Sequence, residues 1–419
     1  MLQNKILKEA ALCLSLITTT LTANANEITV WAWDPNFNIA IMEEAASRYK
    51  NIDPNVTINV VSYSKLDLEQ KLHTMLAAGV DRGLPEIVLV EDYNAQLYLS
   101  AYPGSFEPLT NSIDVNKFSP YKSLLVSKKD ELYGVPFDSG VTGLFYRKDL
   151  LEQAGFTEKD LQNITWKRYI EIGRQVKAKT GVAMLSVDPE DLGLVNIMMQ
   201  SAGVWFTNAD GSLNIAGNKA LITAMENFKQ LSGRDVSRPI SGWGGLVSGI
   251  NQGLAATAVK GVWFVPAVTS EKSQHGKWAI APTPRLSVDG AVNASNLGGS
   301  SWFVLNESTN KKVAIDFLQK IFASDLDFYS QMLVERGAVS TYIPASESEG
   351  YNKSISYFSG QKIYRDFSGW QLEVPDVDYG SYSYEITDAL KSVMPDIFNG
   401  RPIEDALKQV EKQLEFQLQ

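Results

Sequence analysis

Residues 28–63 read ITVWAWDPNFNIAIMEEAASRYKNIDPNVTINVVSY, and the order of signals in them decides the fold class. Ile28 to Trp33 is a short run rich in β-branched and aromatic side chains, the composition of a strand. Asp34-Pro35-Asn36 breaks it. Ile39, Met42, Ala46 and Tyr49 then recur at helical spacing, which predicts a helix to about Lys50. Asp53-Pro54-Asn55 turns the chain, and Val56 to Tyr63 is a second strand. Asp67 is placed to cap a helix carrying Leu68, Leu72, Met75 and Leu76. Glu86 to Val90 is a third strand, nearly all apolar, as expected of a strand covered on both faces. A β-α-β-α-β start of this kind implies a doubly wound α/β lobe. In such sheets ligands bind beyond the carboxyl ends of the strands. Those ends are Trp33-Asp34, Tyr63-Ser64 and Glu91-Asp92-Tyr93.

The alternation continues. Gly134 to Tyr146 is extended, rich in glycine and punctuated by Pro136 and Asp138. Lys148 to Ala154 reads as a helix, Val182 to Val187 as a strand, and Leu192 to Ala202 and Leu221 to Leu231 as helices. Ala255 to Phe264, Trp278 to Ala281 and Ser300 to Leu305 are strand-like. Lys311 to Ala323, Ile386 to Phe398 and Ile403 to Leu418 have helical periodicity. No low-complexity linker separates the parts, so two lobes would be joined by short crossings within the fold.

The first residues have the layout of a secretory signal. Lys5 and Lys8 precede an apolar or small stretch, Ala10 to Thr22, and Ala23-Asn24-Ala25 offers small residues for cleavage after Ala25. The stretch falls short of the roughly 20 residues that span a bilayer core. Cys13, the one cysteine of the 419 residues, follows Leu12 and does not fit a lipid-anchor site. A mature chain from residue 26 would have no thiol and no disulfide, and would need a core large enough to hold it unaided. Loss of Lys5, Lys8 and Glu9 takes the net charge from -10 to -11. That balance argues against nucleic acid or anionic membrane as a partner.

Two histidines, His73 and His275, make no zinc-spaced cluster with cysteine, and no metal or cofactor is expected. The chain has no Walker loop, G-x-G-x-x-G or G-x-S-x-G motif. A glycosidase needs only two carboxylates. Glu91, Asp92 and Asp138 could be proposed for that role, but any acidic protein offers such pairs, so no enzyme activity is expected. Aromatic residues are more informative. Sugars pack their C–H faces on rings and pair their hydroxyls with carboxylates and amides. Trp33, Trp243, Trp263 and Tyr382 lie beside glycine or acidic residues. Core packing is the ordinary use of any one tryptophan, and it is expected of Trp31, Trp302 and Trp205.

On these residues the chain resembles the family-1 extracellular solute-binding proteins of ABC sugar importers. The likeness covers essentially the whole mature chain. ITVWAWDPNF is similar to the family's first strand and loop. PEIVLVEDYNAQLYLSAYPGSFEPLT (85–110) resembles the segment in which the third strand delivers ligand contacts. YGVPFDSGVTGLFYRKDLLEQAGF (133–156) is the most specific piece. AATAVKGVWFVP (255–266) is similar to a strand ending in a ligand-stacking tryptophan, here Trp263. KWAIAPTPR (277–285) and NLGGSSWFV (296–304) resemble the return crossing between lobes, and IFNGRPIEDALKQVEKQLE (397–415) the last helix.

The resemblance implies a two-lobed periplasmic binding protein fold of type II, each lobe an α/β sheet flanked by helices, with the ligand cleft between lobes. The lobes are expected at 26–136 with 300–342, and at 137–299 with 343–419. It implies a periplasmic, unanchored monomer, a diffusible receptor that closes on a mono- or oligosaccharide about a hinge and delivers it to an ABC permease pair with a cytoplasmic ATPase. Trp33, Trp243, Trp263 and Tyr382 are the expected rings. Asp34, Glu91, Asp92 and Asp138 are expected to accept sugar hydroxyls, and Asn36 and Ser64 to add polar contacts. Gly299 is expected to admit the ligand to the backbone or to serve as a hinge glycine. The best-known members carry a basic residue in the first loop where this chain has Asn36. Lys and Arg are absent from the three strand-end loops, which favours a neutral sugar. A secreted carbohydrate-active enzyme and a receptor for a polyol or phosphodiester are the alternatives.

Overall fold

The computed structural model describes residues 26–80 and 82–418. The expected export segment, with Cys13 and the cleavage site, lies outside the described residues. The opening pattern folds as read: β1 (Asn26–Ala32), α1 (Ala40–Ile52), β2 (Val56–Ser62), α2 (Lys65–Ala77), β3 (Ile87–Glu91) and α3 (Asp92–Ala101). β1 runs parallel to β2 and to β3. Ile87 to Val90 is buried throughout, as a strand covered on both faces requires. The short helix α4 (Pro120–Leu125) and a hairpin of β4 (Ser127–Lys128) and β5 (Glu131–Leu132) follow.

The glycine-rich stretch predicted as one extended run is two strands in two sheets. β6 (Gly134–Asp138) belongs to the first sheet and β7 (Thr142–Arg147) to the second. The second sheet is completed by β8 (Ala183–Val187), β9 (Ser237–Pro239), β10 (Ala255–Gly261) and β11 (Trp278–Pro282), in the order β11-β7-β10-β8-β9. The chain then returns as β12 (Ser300–Val304), giving the first sheet the order β2-β1-β3-β12-β6. Each sheet carries its own core. Trp302 is fully buried in the first, and Trp166 and Trp278 in the second. Trp31, at 3 % exposure, packs as expected of a mid-strand residue.

Three segments cross between the sheets and hydrogen-bond to one another. Ser139 N–H donates to Val339 O at 3.0 Å, Leu297 N–H to Gly140 O at 2.9 Å, and Thr341 N–H to Phe137 O at 3.2 Å. Gly140 permits this closeness, since a Cβ there would lie 2.5 Å from Gly298 O. Gly299 has φ +98°, and its missing Cβ would stand 2.6 Å from Asp92 Oδ2. β6 ends at Asp138, two residues past the expected crossing at 136.

In both sheets the parallel strands end toward the crevice between lobes. β8, β9 and β10 are parallel, and their carboxyl ends lead to Asp188, Ile240 and Trp263. Three further helices bear on the site: α5 (Gly193–Ser201), α6 (Gly242–Asn251) and α8 (Ser383–Phe398). The helix α7 (Leu326–Arg336) belongs to the first lobe, where Arg48 bonds Asp325 at 3.0 Å. Among the described residues no helix is long and apolar enough to cross a membrane.

Candidate ligand-binding site

Two cavities adjoin at Asp191, just ahead of α5. The first, about 250 Å³, lies on the second lobe beyond β8 and β10. It is lined by Ser186, Asp188, Asp191, Trp243, Leu246 and Lys260 among others. The second, about 220 Å³, spans the lobes: Glu91 and Tyr93 come from the first, and Asp191, Asn196, Trp205 and Tyr384 from the second. Together they form a groove with aromatic walls and carboxylates at its rim.

The rings are held differently. Trp263 is not among the residues that line either cavity; it is partly buried beside Trp243, and its indole N–H donates to Leu297 O at 2.9 Å. Trp243 is 55 % exposed, with its ring 5.9 Å from that of Trp263. Trp205 is fixed by an N–H donated to Ser383 Oγ at 2.9 Å. Tyr93, from the first lobe, stacks on it at 5.8 Å and lies 4.5 Å from Tyr379.

The expected carboxylates divide into two groups. Asp34 is exposed at the end of β1, with φ +59°, and its Oδ1 accepts the Asn36 N–H at 3.0 Å. Asn36 is exposed beside it, and its carbonyl accepts from Arg336 at 3.4 Å. Trp33 packs partly against the core. Glu91 stands at the rim of the groove, paired with Lys65 at 2.7 Å and accepting the Tyr384 hydroxyl from across the cleft. Asp92 and Asp138 are instead buried beneath the crossings. Asp92, 1 % exposed, pairs with fully buried Lys122 at 2.5 Å, and Lys122 also donates to Ser300 O at 2.9 Å. Asp138 accepts both the N–H and the hydroxyl of Ser300, at 2.8 and 2.5 Å. Burial pushes the carboxyls of Asp92 and Asp138 above their ordinary values, against the pull of Lys122. Both brace the first lobe's sheet where the crossings leave it rather than line the groove.

Other expectations shift similarly. Ser64, not Asp67, caps α2: its Oγ accepts the Asp67 N–H at 3.1 Å and donates back to Asp67 at 2.7 Å. Tyr382 lines a separate crevice with Ser100, Lys128 and Asn208, and Tyr384 is the tyrosine that reaches the groove. Gly299 sits in the hinge against Asp92. Lys65, the residue after Ser64, brings a cation to the end of β3, against the expectation that the strand ends lack one.

Asp188, Asp191, Asn196, Lys260 and Tyr384 were not singled out from the sequence. They come from three segments far apart in the chain, residues 188–196, Lys260 and Tyr384. The faint signal available was position: Asp188 follows a strand, and Asp191 precedes the glycine that opens α5. Every cation at the groove has an acidic partner, Lys65 with Glu91, Lys260 with Asp191 at 3.5 Å, and Lys391 with Asp388 at 3.1 Å.

Residues 44–348 match the family model described as bacterial extracellular solute-binding protein. The chain belongs to that family. It is 48% identical over 410 residues to a lactose-binding protein of Rhizobium radiobacter, covering 98% of this chain and 97% of the relative. An arabinooligosaccharide-binding protein of Bacillus subtilis (strain 168) is 26% identical over 70% of this chain and 68% of its own. Among solved structures, the sugar-binding protein MalE from Xanthomonas citri superposes with a TM-score of 0.77 at 16% identity, covering 93% of this chain and 96% of the other. The binding protein from B. animalis subsp. lactis Bl-04, in complex with β-1,6-galactobiose, gives 0.71 at 22%, with the same coverage. These solute-binding neighbours share the two-lobed fold. The family is one of binding proteins, not enzymes.

Proposed function

We propose that this solute-binding protein captures a neutral disaccharide of the lactose type in the interlobe groove, closes on it, and delivers it from the periplasm to an ABC permease pair with a cytoplasmic ATPase. The observation that carries the reading is the pair of adjoining cavities meeting at Asp191, one walled by Trp243 and one by rings from both lobes. Two sugar rings laid end to end need two such compartments. Indole and phenol faces suit C–H surfaces, and Asp188, Asp191 and Glu91 suit hydroxyls. Because each cation at the groove is already neutralised, an anionic ligand such as a phosphodiester would have no uncommitted charge to meet. The near-full-length likeness to a lactose-binding protein supports the same choice.

Titration calorimetry on the purified protein tests it. Lactose should bind at about micromolar Kd, near -8 kcal/mol, and should raise the thermal midpoint by mass action. Absence of heat and of any thermal shift with lactose and a panel of neutral di- and trisaccharides would sink the proposal.

A further inference from the structure

The space between the lobes continues past the second cavity. Tyr93, Gln96 and Ser100 stand at positions i, i+3 and i+7 of α3, which puts them on one face of that helix. Tyr93, at the amino end of this face, lines the cavity of about 220 Å³. Gln96 and Ser100, further along it, line a crevice of about 240 Å³ opposite Thr207, Asn208 and Asp378 of the second lobe. The second lobe changes over in step. Trp205 and Tyr384 line the cavity, whereas Thr207 and Tyr382, each two residues away, line the crevice. Between the two spaces stand three rings in mutual contact. Tyr93 stacks on Trp205 with centroids 5.8 Å apart and planes at 14°, and Tyr379 lies 4.5 Å from Tyr93 and 4.6 Å from Trp205. The second-lobe pair is anchored. Ser383 Oγ accepts the Trp205 N–H and donates to Tyr379 O at 2.6 Å, and the Tyr379 hydroxyl accepts from Asn296 at 3.1 Å. Trp205 and Tyr379 are 3 % and 1 % exposed, so neither ring can swing aside without disturbing packed neighbours. The opposite end of the groove is unlike this one, since Trp243 there stands largely in solvent.

We infer that the stack of Tyr93, Trp205 and Tyr379 is the end wall of the sugar groove and sets ligand length, denying a further sugar residue the crevice beyond it. This rests on the sugar-binding reading above. The wall acts by exclusion, and at one end only. A ligand extended toward the stack has to displace packed rings, whereas one extended toward Trp243 runs out into solvent. Without the stack the cavity and the crevice would join along the Tyr93, Gln96 and Ser100 face of α3, which offers side-chain amide and hydroxyl groups to the added residue.

Calorimetry with lactose and with the trisaccharides that extend it by one hexose, at its galactose or at its glucose end, tests this. The wild type should bind one trisaccharide about tenfold or more weakly than lactose, the cost of forcing a residue into packed rings. It should bind the other, which runs toward Trp243, about as tightly as lactose. Tyr93→Ala should bring the affinity ratio of lactose to the rejected trisaccharide close to one. Tyr93→Phe, which keeps the ring, should leave that ratio as in the wild type. Trp205→Leu reads the same ratio from the other lobe should Tyr93→Ala not fold. The ratio is the readout because a change in lobe closure weakens every sugar by a common factor, which cancels from it. Equal affinity of the wild type for lactose and both trisaccharides overturns the inference and leaves the sugar reading intact. A ratio in Tyr93→Ala or Trp205→Leu equal to that of the wild type does the same. If the wild type binds neither lactose nor any other neutral sugar, both readings fall together.

Discussion

The indole of Trp263 is tethered through its own N–H to Leu297 O, whereas the Trp243 ring stands 55 % exposed at the mouth of the first cavity. A pre-fixed ring loses little entropy when a sugar packs on it, while a free one must be ordered by the ligand. Trp263→Ala should therefore weaken lactose binding by about 1–3 kcal/mol, the worth of one large apolar contact. The same change at Trp243 should cost less, and calorimetry of the two side by side ranks them. Unchanged binding in Trp263→Ala would remove that ring from the site. The sequence singles out Trp243 because glycines flank it and Trp263 because it lies near the end of a strand-like run behind Gly261. It does not single out Asn196, because nothing in a helix of apolar neighbours marks one amide as lining a groove. Glu69 makes a different point at the same scale. Burial, partly offset by Lys65, pushes its carboxyl up to about 7. The folded protein then holds that proton more tightly than the unfolded chain, whose carboxyl titrates near 4.5. The stabilisation is complete below that lower value and is lost as pH rises through about 7. Thermal midpoints measured between about pH 5 and 8 should fall more steeply in the wild type than in Glu69→Gln, and parallel profiles would refute the assignment.

Strands and crossings carry the next level. The opening β-α-β-α-β could be read from its period because β1, β2 and β3 are short, apolar and separated by Pro-containing turns or by Gly83-Leu84-Pro85. The split of residues 134–147 between two sheets could not. Periodicity reports which residues face a core, not which of two cores they face. For the same reason Asp92 and Asp138 looked like strand-end ligands, although partners distant in sequence, Lys122 and Ser300, engage them beneath the hinge. Gly299 is where this arrangement is tightest. A methyl group there meets Asp92 Oδ2 at 2.6 Å, on a backbone with φ +98°. Gly299→Ala should cost about 1–3 kcal/mol of stability from backbone strain, before any displacement of Asp92 is counted. Urea unfolding reads this directly, and a midpoint equal to that of the wild type would mean the hinge relaxes freely.

At the scale of the molecule, a direct bond joins the lobes. Tyr384 on α8 donates its hydroxyl to Glu91 on the first lobe, and Lys65, 2.7 Å from Glu91, donates to the same hydroxyl at 3.2 Å. In the proposed closure, a bond made only when the lobes meet favours the closed state. Apparent affinity scales with the fraction already competent to bind. Tyr384→Phe removes that bond and leaves the ring. Its ligand-free radius of gyration, by small-angle scattering, should therefore exceed that of the wild type, while saturation with lactose brings both to the same compact value. Binding should weaken by a common factor of about tenfold or more for every sugar that binds, the worth of a hydrogen bond to a charged acceptor. The common factor is the decisive part. A contact with the ligand itself would discriminate among sugars, whereas a contact between lobes changes the closure equilibrium they all share.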